Sequence, residues 1–316
     1  MLRRSDTQYA TVSGMTRQTE AAAGTAREAA DRIHQLFNAA WSLAAASAYL
    51  ANGRCTDQQA RVLAAVGLAD PHEGGWRPAA GLTALADRPE RLGVTLPHHL
   101  HQMAAVAAGG RPQDVAPDAA GETTAVETMA DRLLHGIVPR LPGLTDRLHT
   151  AGAAALAARA GNGRMLAAFC RLVPTLAVTA FEADPGQYER ARQALSAAGV
   201  ADRAELRPGE LTDLDERDRY DLAQLPVMLT SPASMNEAPA RIFRALRAGG
   251  WLIAMAVSPT GDTLDTAVVH WRVADQGGTM TSPDDLEQRL RAAGFDSVLS
   301  VPDMPMPLVV AQRPSR

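Results

Sequence analysis

The chain has 316 residues, a formal net charge of −4 and 46% hydrophobic residues. This composition predicts a globular protein of about two domains with enough apolar material for a sizeable core. All 31 basic residues are arginine, which excludes a lysine Schiff base, a P-loop lysine and a lysine general base. The slight acidic excess argues against a general binder of nucleic acid or anionic membrane, because such proteins need clustered positive charge.

Two cysteines, Cys55 and Cys170, are too few for a disulfide framework or a cysteine zinc site. A reducing, cytoplasmic compartment is therefore predicted. The first residues lack the apolar core of a signal peptide, and no apolar run reaches 18 residues. We accordingly expect no membrane-spanning helix.

Residues 1–20 are polar and are predicted to be a disordered tail, and residues 21–115 are predicted to be mostly helical. Thr56 and Gln59 form a capping-box pattern at the start of a helix over 57–66. A Gly74-Gly75 turn between short extended pieces follows, and together these elements are typical of a winged helix. Residues 1–115 hold 11 Arg against 10 Asp and Glu. This balance favours a dimerisation and lid domain over DNA binding.

Glycine and proline over 109–117 mark a domain boundary, and strands and helices alternate over 116–316. Apolar strands are predicted at 153–158, 176–181, 204–207, 220–225 and 251–257, with two closing strands after 295. Helices are predicted between them, including one that Asp184 and Pro185 begin and one over 238–247. This order predicts an α/β fold with a doubly wound, mostly parallel, seven-stranded sheet.

Six landmarks in this order resemble the class I S-adenosylmethionine-dependent methyltransferases. They are a glycine-rich turn after strand one, an acid after strand two, Gly-Glu after strand three, Tyr-Asp-Leu at strand four, LRAGGWLI before strand five, and LEQRLRAAGFDSV near the end. The helical front is similar to the dimerisation domain of small-molecule O-methyltransferases from natural-product pathways. The resemblance covers about residues 25–313 and implies a Rossmann-like fold.

The resemblance also implies a set of cofactor-binding residues for S-adenosylmethionine. Gly161 and Gly163 match the tight turn at a helix N-terminus, where the backbone can approach the cofactor. Glu182 stands where the family places its ribose carboxylate. Glu210 stands where the family has an adenine-contacting acid, which is more often aspartate.

Two positions of the glycine-rich motif depart from the family pattern. Ala157 replaces the usual acid, and Arg159 replaces the first glycine. An arginine there brings a fixed positive charge near the expected place of a sulfonium cation. One interpretation is that Arg159 turns into solvent and the cofactor still binds; another is that Arg159 has been recruited, as a cofactor-site or catalytic residue, to hold an anionic group of the substrate. Whether cofactor binding is weakened or lost stays open at this point.

The family's histidine base after strand four is missing from the segment MLTSPASMNEAPARIF, where only Glu237 matches an acid of the pattern. His270 is the best remaining candidate for a general base. Trp271, beside it, is a candidate wall of the acceptor pocket, and ordinary core packing is an equally good interpretation.

His98 and His101 lie in the run LPHHLHQM. Their spacing does not bring three ligands onto one ion and no acid is adjacent, so no metal site is predicted. They remain candidates for substrate binding in a cleft between domains.

Three functional hypotheses follow from these residues. The first is methyl transfer to a small molecule in natural-product biosynthesis. The second is a repurposed enzyme on the same fold that catalyses a cyclisation or elimination, with Arg159 holding an anionic leaving group. The third is an accessory subunit of a partner enzyme. The apolar helical front predicts a homodimer, with a hetero-oligomer containing a related subunit as the alternative. Neither nucleic acid nor membrane is an expected partner.

Overall fold

The computed structural model describes residues 5–73, 75–86, 95–110, 115, 121–257, 264–301 and 307–315. The chain divides into two compact units, Met1–Ala108 and Gly109–Arg316. In the parts of the chain described, no helix combines the length and apolarity needed to cross a membrane.

The amino-terminal unit is built on one long helix, α1, over Ser5–Asn52. Its bounds take in most of the segment for which the sequence predicts a disordered tail, and good helix formers such as Ala, Gln and Arg continue the helical pattern there. The remaining elements of the unit are α2 (Asp57–Ala65), β1 (Ala69–His72), β2 (Gly75–Pro78), α3 (Ala80–Ala86) and α4 (Thr95–Ala107).

A small core joins α1, α2, the hairpin and α3, and local sequence signals explain several of these elements. Thr56 accepts from the backbone N–H of Gln59, and Gln59 accepts in return from the N–H of Thr56, which confirms the predicted capping box. β1 and β2 pair antiparallel, so the predicted hairpin is present. Ala45, Ala46, Tyr49, Leu63, Ala69 and Leu82 form the buried cluster.

The carboxy-terminal unit is an α/β domain whose elements alternate as the sequence predicts. Its helices are α5 (Gly121–Asp131), α6 (Leu144–Leu148), α7 (Arg164–Leu172), α8 (Pro185–Ala197), α9 (Pro232–Ala245), α10 (Leu264–Asp275) and α11 (Pro283–Ala292). Its strands are β3 (Ala154–Ala157), β4 (Ala177–Glu182), β5 (Ala204–Pro208), β6 (Tyr220–Pro226), β7 (Leu246–Met255), β8 (Asp296–Val301) and β9 (Leu308–Gln312). A π-helical turn over Arg132–Ile137 and a 3-10 turn over Val138–Arg140 link α5 to α6.

The seven strands form one sheet in the order β5-β4-β3-β6-β7-β9-β8. Strands β3 to β7 run parallel and β9 runs antiparallel to both of its neighbours. Buried clusters cover both faces of the sheet. The strand order reverses between β3 and β6, and doubly wound sheets bind their ligands above such a reversal, outside the carboxyl ends of the strands.

Two element boundaries differ from the sequence-based prediction. Helix α9 begins at Pro232, six residues before the predicted start, because the hydroxyl of Ser231 caps it and Pro232 occupies its first turn. The interior Pro239 is accommodated within the helix. Strand β7 begins at Leu246 rather than at Trp251, with a bulge opposite Tyr220–Leu222.

Candidate active site at the carboxyl edge of the sheet

A crevice opens at the carboxyl ends of β3, β4, β5 and β6, at the reversal of strand order. The crevice encloses about 280 Å³ of space between atoms, part of which is open to solvent. The segments that follow these four strands supply its lining: Ala158, Arg159, Phe181, Ala183, Gly209, Glu210, Leu211, Leu229, Thr230, Ser231 and Ser234. Four chain segments far apart in sequence therefore converge on one cavity.

The glycine-rich turn after β3 leads directly into α7. Gly161 has a φ of +56° with nothing within 4 Å of the place where a side chain would begin, so its surroundings are open. Gly163 has a φ of +77°, and a Cβ there would lie 2.6 Å from Cα of Ala191. Packing of α7 against α8 therefore explains the glycine at 163, independently of any ligand.

Glu182, at the end of β4, is only 1% exposed. Its Oε2 accepts from the backbone N–H of Gly161 at 2.8 Å, and its Oε1 accepts from the N–H of Asp184 at 3.0 Å. Burial raises the pKa of this carboxyl, and the nearby Arg159 guanidinium and the two backbone donors oppose that rise. The carboxylate thus ties the glycine-rich turn to the end of β4.

Arg159 turns inward across the crevice. Its Nε lies 3.4 Å from Oε2 of Glu182, and its Nη1 donates to the carbonyl of Leu229 at 2.6 Å. The side chain is 25% exposed. The interpretation in which Arg159 turns into solvent is therefore wrong, because a buried carboxylate and a backbone carbonyl both attract the guanidinium.

Glu210 follows β5 and forms the polar side of the cavity. Its Oε2 accepts from the hydroxyls of Ser231, at 2.8 Å, and Ser234. Both serines belong to the start of α9, where Ser231 is the cap. The sequence prediction missed these serines, although a Ser-Pro pair after a buried strand is a recognisable helix start.

The catalytic candidates beyond Arg159 do not line the crevice. Glu237 lies on α9, is exposed, and accepts from Nε of Arg241 at 2.7 Å. His270 and Trp271 lie on α10, and both are exposed, Trp271 by 59%. The structure therefore does not bring these three side chains together with Glu182 and Glu210. Trp271 is not a core residue, which contradicts the interpretation of ordinary core packing.

Although His270 and Trp271 on α10 are exposed, the segment after this helix contacts the crevice loop. The N–H of Thr279 donates to the carbonyl of Val227 at 3.2 Å, and its hydroxyl donates to the carbonyl of Thr230 at 2.7 Å. A Cβ on Gly278 would fall on the carbonyl of Met228. The loop over 227–230 is thus held by Arg159 on one side and by residues 278–279 on the other.

The two histidine candidates belong to the amino-terminal unit. His98 and His101 lie on α4; Nδ1 of His98 is buried without a hydrogen-bond partner among the described residues, and His101 is exposed. Within the described ranges, no group of three or more His, Cys, Asp or Glu side chains could hold a metal ion.

Comparisons with known proteins agree with this geometry. Residues 155–250 match the family model of a methyltransferase domain. This match identifies a methyltransferase domain within residues 155–250, which agrees with the predicted family and methyltransferase-like enzyme class, and the predicted fold is confirmed. No curated protein sequence matches the chain significantly.

Three solved structures share the fold at low sequence identity. The S-adenosylmethionine-dependent methyltransferase SibL in its apo form is 16% identical with a TM-score of 0.56, over 89% of this chain and 97% of that one. PigF with SAH is 20% identical with a TM-score of 0.55, over 90% and 99%. The pyocyanin biosynthetic protein PhzM is 16% identical with a TM-score of 0.55, over 90% and 99%.

The methyltransferase domain implies S-adenosylmethionine as the cofactor, as predicted. The open turn at Gly161 and the polar edge at Glu210 are chemically suited to an adenosyl group. Glu182 is a suitable acceptor for ribose hydroxyls, but it does not line the cavity. Arg159 is the side chain that lies between this carboxylate and the cavity.

Proposed function

We propose that this protein is an S-adenosylmethionine-dependent methyltransferase that acts on a small molecule in natural-product biosynthesis. The single observation that carries the proposal is the convergence of the Gly161 turn, Glu182 and the Glu210-lined cavity at the reversal of strand order. A relative in fold such as PhzM, a pyocyanin biosynthetic protein, supports the substrate class. When bound, the cofactor would supply an electrophilic methyl group.

Each group in the crevice has a definite task under this proposal. The open turn at Gly161 lets the ligand approach the backbone at the start of α7. Glu182 provides carboxylate oxygens for a vicinal diol, and Glu210, with its two serines, provides a polar edge for an exocyclic amine. Phe181 and Leu211 provide apolar walls.

His270 remains our candidate for the base that deprotonates the acceptor, with Trp271 beside it as an acceptor contact. Both lie on α10, whose following segment packs on the loop over 227–230. His98 and His101, in the amino-terminal unit, remain candidates for substrate binding. Glu237 is a weaker catalytic candidate, because Arg241 already binds its carboxylate.

Dimerisation through α1 is also part of the proposal. Ile33, Leu36, Phe37 and Trp41 recur at helical spacing and are all more than half exposed. An apolar stripe of this size on one face of a helix is typical of a protein–protein interface. We infer a homodimer, in which α1 of each copy covers the stripe of the other.

Titration calorimetry with S-adenosylmethionine and S-adenosylhomocysteine tests the proposed function. We expect Glu182→Ala to weaken the binding of both ligands at least tenfold, because the diol loses a charged acceptor. Glu205→Ala is the matched control, since Glu205 lies on the neighbouring strand β5 but pairs with Arg207 and Arg219 away from the crevice. Absence of heat with either ligand at millimolar concentration would contradict the proposal.

Arg159 favours a second candidate function, a cyclisation or elimination without methyl transfer. A guanidinium in the crevice could hold an anionic leaving group. Its charge is, however, already compensated by Glu182 and its Nη1 is engaged by Leu229, so methyl transfer is the better-supported candidate. For the second candidate, Arg159→Ala abolishes turnover of the native substrate, whereas a fully active Arg159→Ala variant excludes it.

A further inference from the structure

Arg159 occupies the crevice in the way that a ligand would. Its guanidinium bridges the end of β4 to the loop after β6, which lie on the two sides of the strand-order reversal. One end of the bridge is Glu182 and the other is the carbonyl of Leu229. Two groups that could bind a ligand, the Glu182 carboxylate and the Leu229 carbonyl, are thus occupied by a side chain of the protein itself.

The hydrogen-bonding capacity of Glu182 is largely used in this arrangement. A carboxylate offers about four lone-pair sites. Backbone donors of Gly161 and Asp184 occupy two of them, and Nε of Arg159 faces Oε2, the oxygen bound to Gly161. The Glu182 side chain has 0% exposure. Arg159 therefore competes with any ribose hydroxyl for this carboxylate.

We propose that Arg159 is a displaceable occupant of the crevice, which an adenine nucleoside must expel from Glu182 and from the carbonyl of Leu229 in order to bind. This inference rests on the proposed function, because it assigns the crevice to a nucleoside ligand. It makes Arg159 a residue that sets ligand affinity by competing for the same acceptors. Displacement exchanges a guanidinium contact for hydroxyl contacts on one carboxylate.

Displacement and simple electrostatic repulsion predict different effects on two closely related probes. S-adenosylmethionine carries a sulfonium charge, which S-adenosylhomocysteine lacks, and the rest of the two molecules is shared apart from the methyl group. If Arg159 is expelled, its removal benefits both ligands to the same extent. If Arg159 stays in the crevice, its charge opposes the sulfonium alone, and only the cationic ligand benefits from its removal.

The test measures the Kd of both probes for the full chain and for Arg159→Gly by titration calorimetry. We expect both Kd values to fall by the same factor, about ten to a hundred, because one charge-assisted contact no longer competes. Arg159→Lys keeps the charge but cannot form the same planar bridge, and we expect an intermediate gain for both probes. Arg203→Gly is the matched control, because Arg203 also donates to backbone carbonyls, those of Val173, Pro174 and Leu176, at the opposite edge of the sheet.

Each result has a distinct meaning. Equal gains for the two probes support displacement, and a gain confined to S-adenosylmethionine overturns it in favour of repulsion. Unchanged affinities in a variant that binds both probes overturn the proposal for Arg159 while leaving the crevice as a cofactor site. Lack of binding by every variant overturns the proposed function and this inference together. If Arg159→Gly fails to fold, the Kd values of both probes are compared for Arg159→Lys instead. Equal gains then support displacement, and a gain for S-adenosylmethionine alone overturns it.

Discussion

At the residue scale, Gly161 and Gly163 belong to one motif but serve different physical needs. Both have positive φ, which an L side chain adopts at a cost of roughly 1 to 2 kcal/mol. A Cβ at Gly161 meets open space, whereas a Cβ at Gly163 would meet the backbone and side chain of Ala191. Only the first position therefore keeps space free beside the crevice.

We expect Gly161→Ala to lower the free energy of unfolding by about 1 kcal/mol and Gly163→Ala by about 3 kcal/mol or more, because the second substitution adds overpacking to backbone strain. Denaturant unfolding of the two variants measures this difference. Gly53→Ala is a suitable control, since its φ of +66° is similar and its surroundings are also open. Equal losses at 161 and 163 would contradict the packing explanation.

At the scale of elements, the helix starts were predictable where a cap and an apolar face coincide. Thr56 capped α2 as predicted, and Asp184 and Pro185 began α8 as predicted. The predicted start of α9 was six residues too late, because the prediction did not recognise the cap at Ser231 and Pro232 in the first turn. Sequence signals of this kind act over a few residues, and tertiary packing also decides where an element begins.

The candidate site was predictable in its positions but not in its contacts. The order of strands placed Glu182, Glu210 and the Gly161 turn at one edge of the sheet, because carboxyl ends of parallel strands share an edge. The direction of the Arg159 side chain depends on Leu229, which is 70 residues away in the chain. Such a long-range contact leaves no local pattern. The ion pair between Glu237 and Arg241 is the opposite case, because the two residues are four apart on one helix. It was accessible from the sequence, although it was not predicted.

The apolar stripe on helix α1 can be tested by substitution. Replacing Phe37 and Trp41 together by Glu places two charges on the apolar stripe, and we expect the dimer to dissociate at micromolar concentration. Light scattering coupled to size exclusion measures the mass of each variant. Paired substitution of Arg27 and Glu28 by Ala, at exposed positions on the same helix, is the control. A wild-type chain that runs as a monomer would refute the proposed dimer.

At the scale of the whole molecule, the two units have unequal cores. Two large buried clusters pack on the faces of the seven-stranded sheet, and both lie entirely within residues 109–316. Among the described residues of the amino-terminal unit, one small cluster of six is buried. Because buried apolar area is the main favourable term in folding, most of the stability belongs to the carboxy-terminal unit.

We expect residues 109–316 to fold on their own when they are produced without the amino-terminal unit. Circular dichroism should show mixed helix and strand, and denaturant unfolding should be a single cooperative transition. Full-length protein measured in parallel is the reference. A fragment without cooperative unfolding would mean that its sheet depends on the first 108 residues, contrary to this expectation.

The close approach at Gly278 has a mechanical consequence. Two stretches of main chain touch there without any intervening side chain, and Thr279 fastens them with two hydrogen bonds. The segment that follows α10 and the loop over 227–230 are therefore in direct contact through their main chains. When Arg159 leaves the carbonyl of Leu229, this junction is the support that keeps the loop in place.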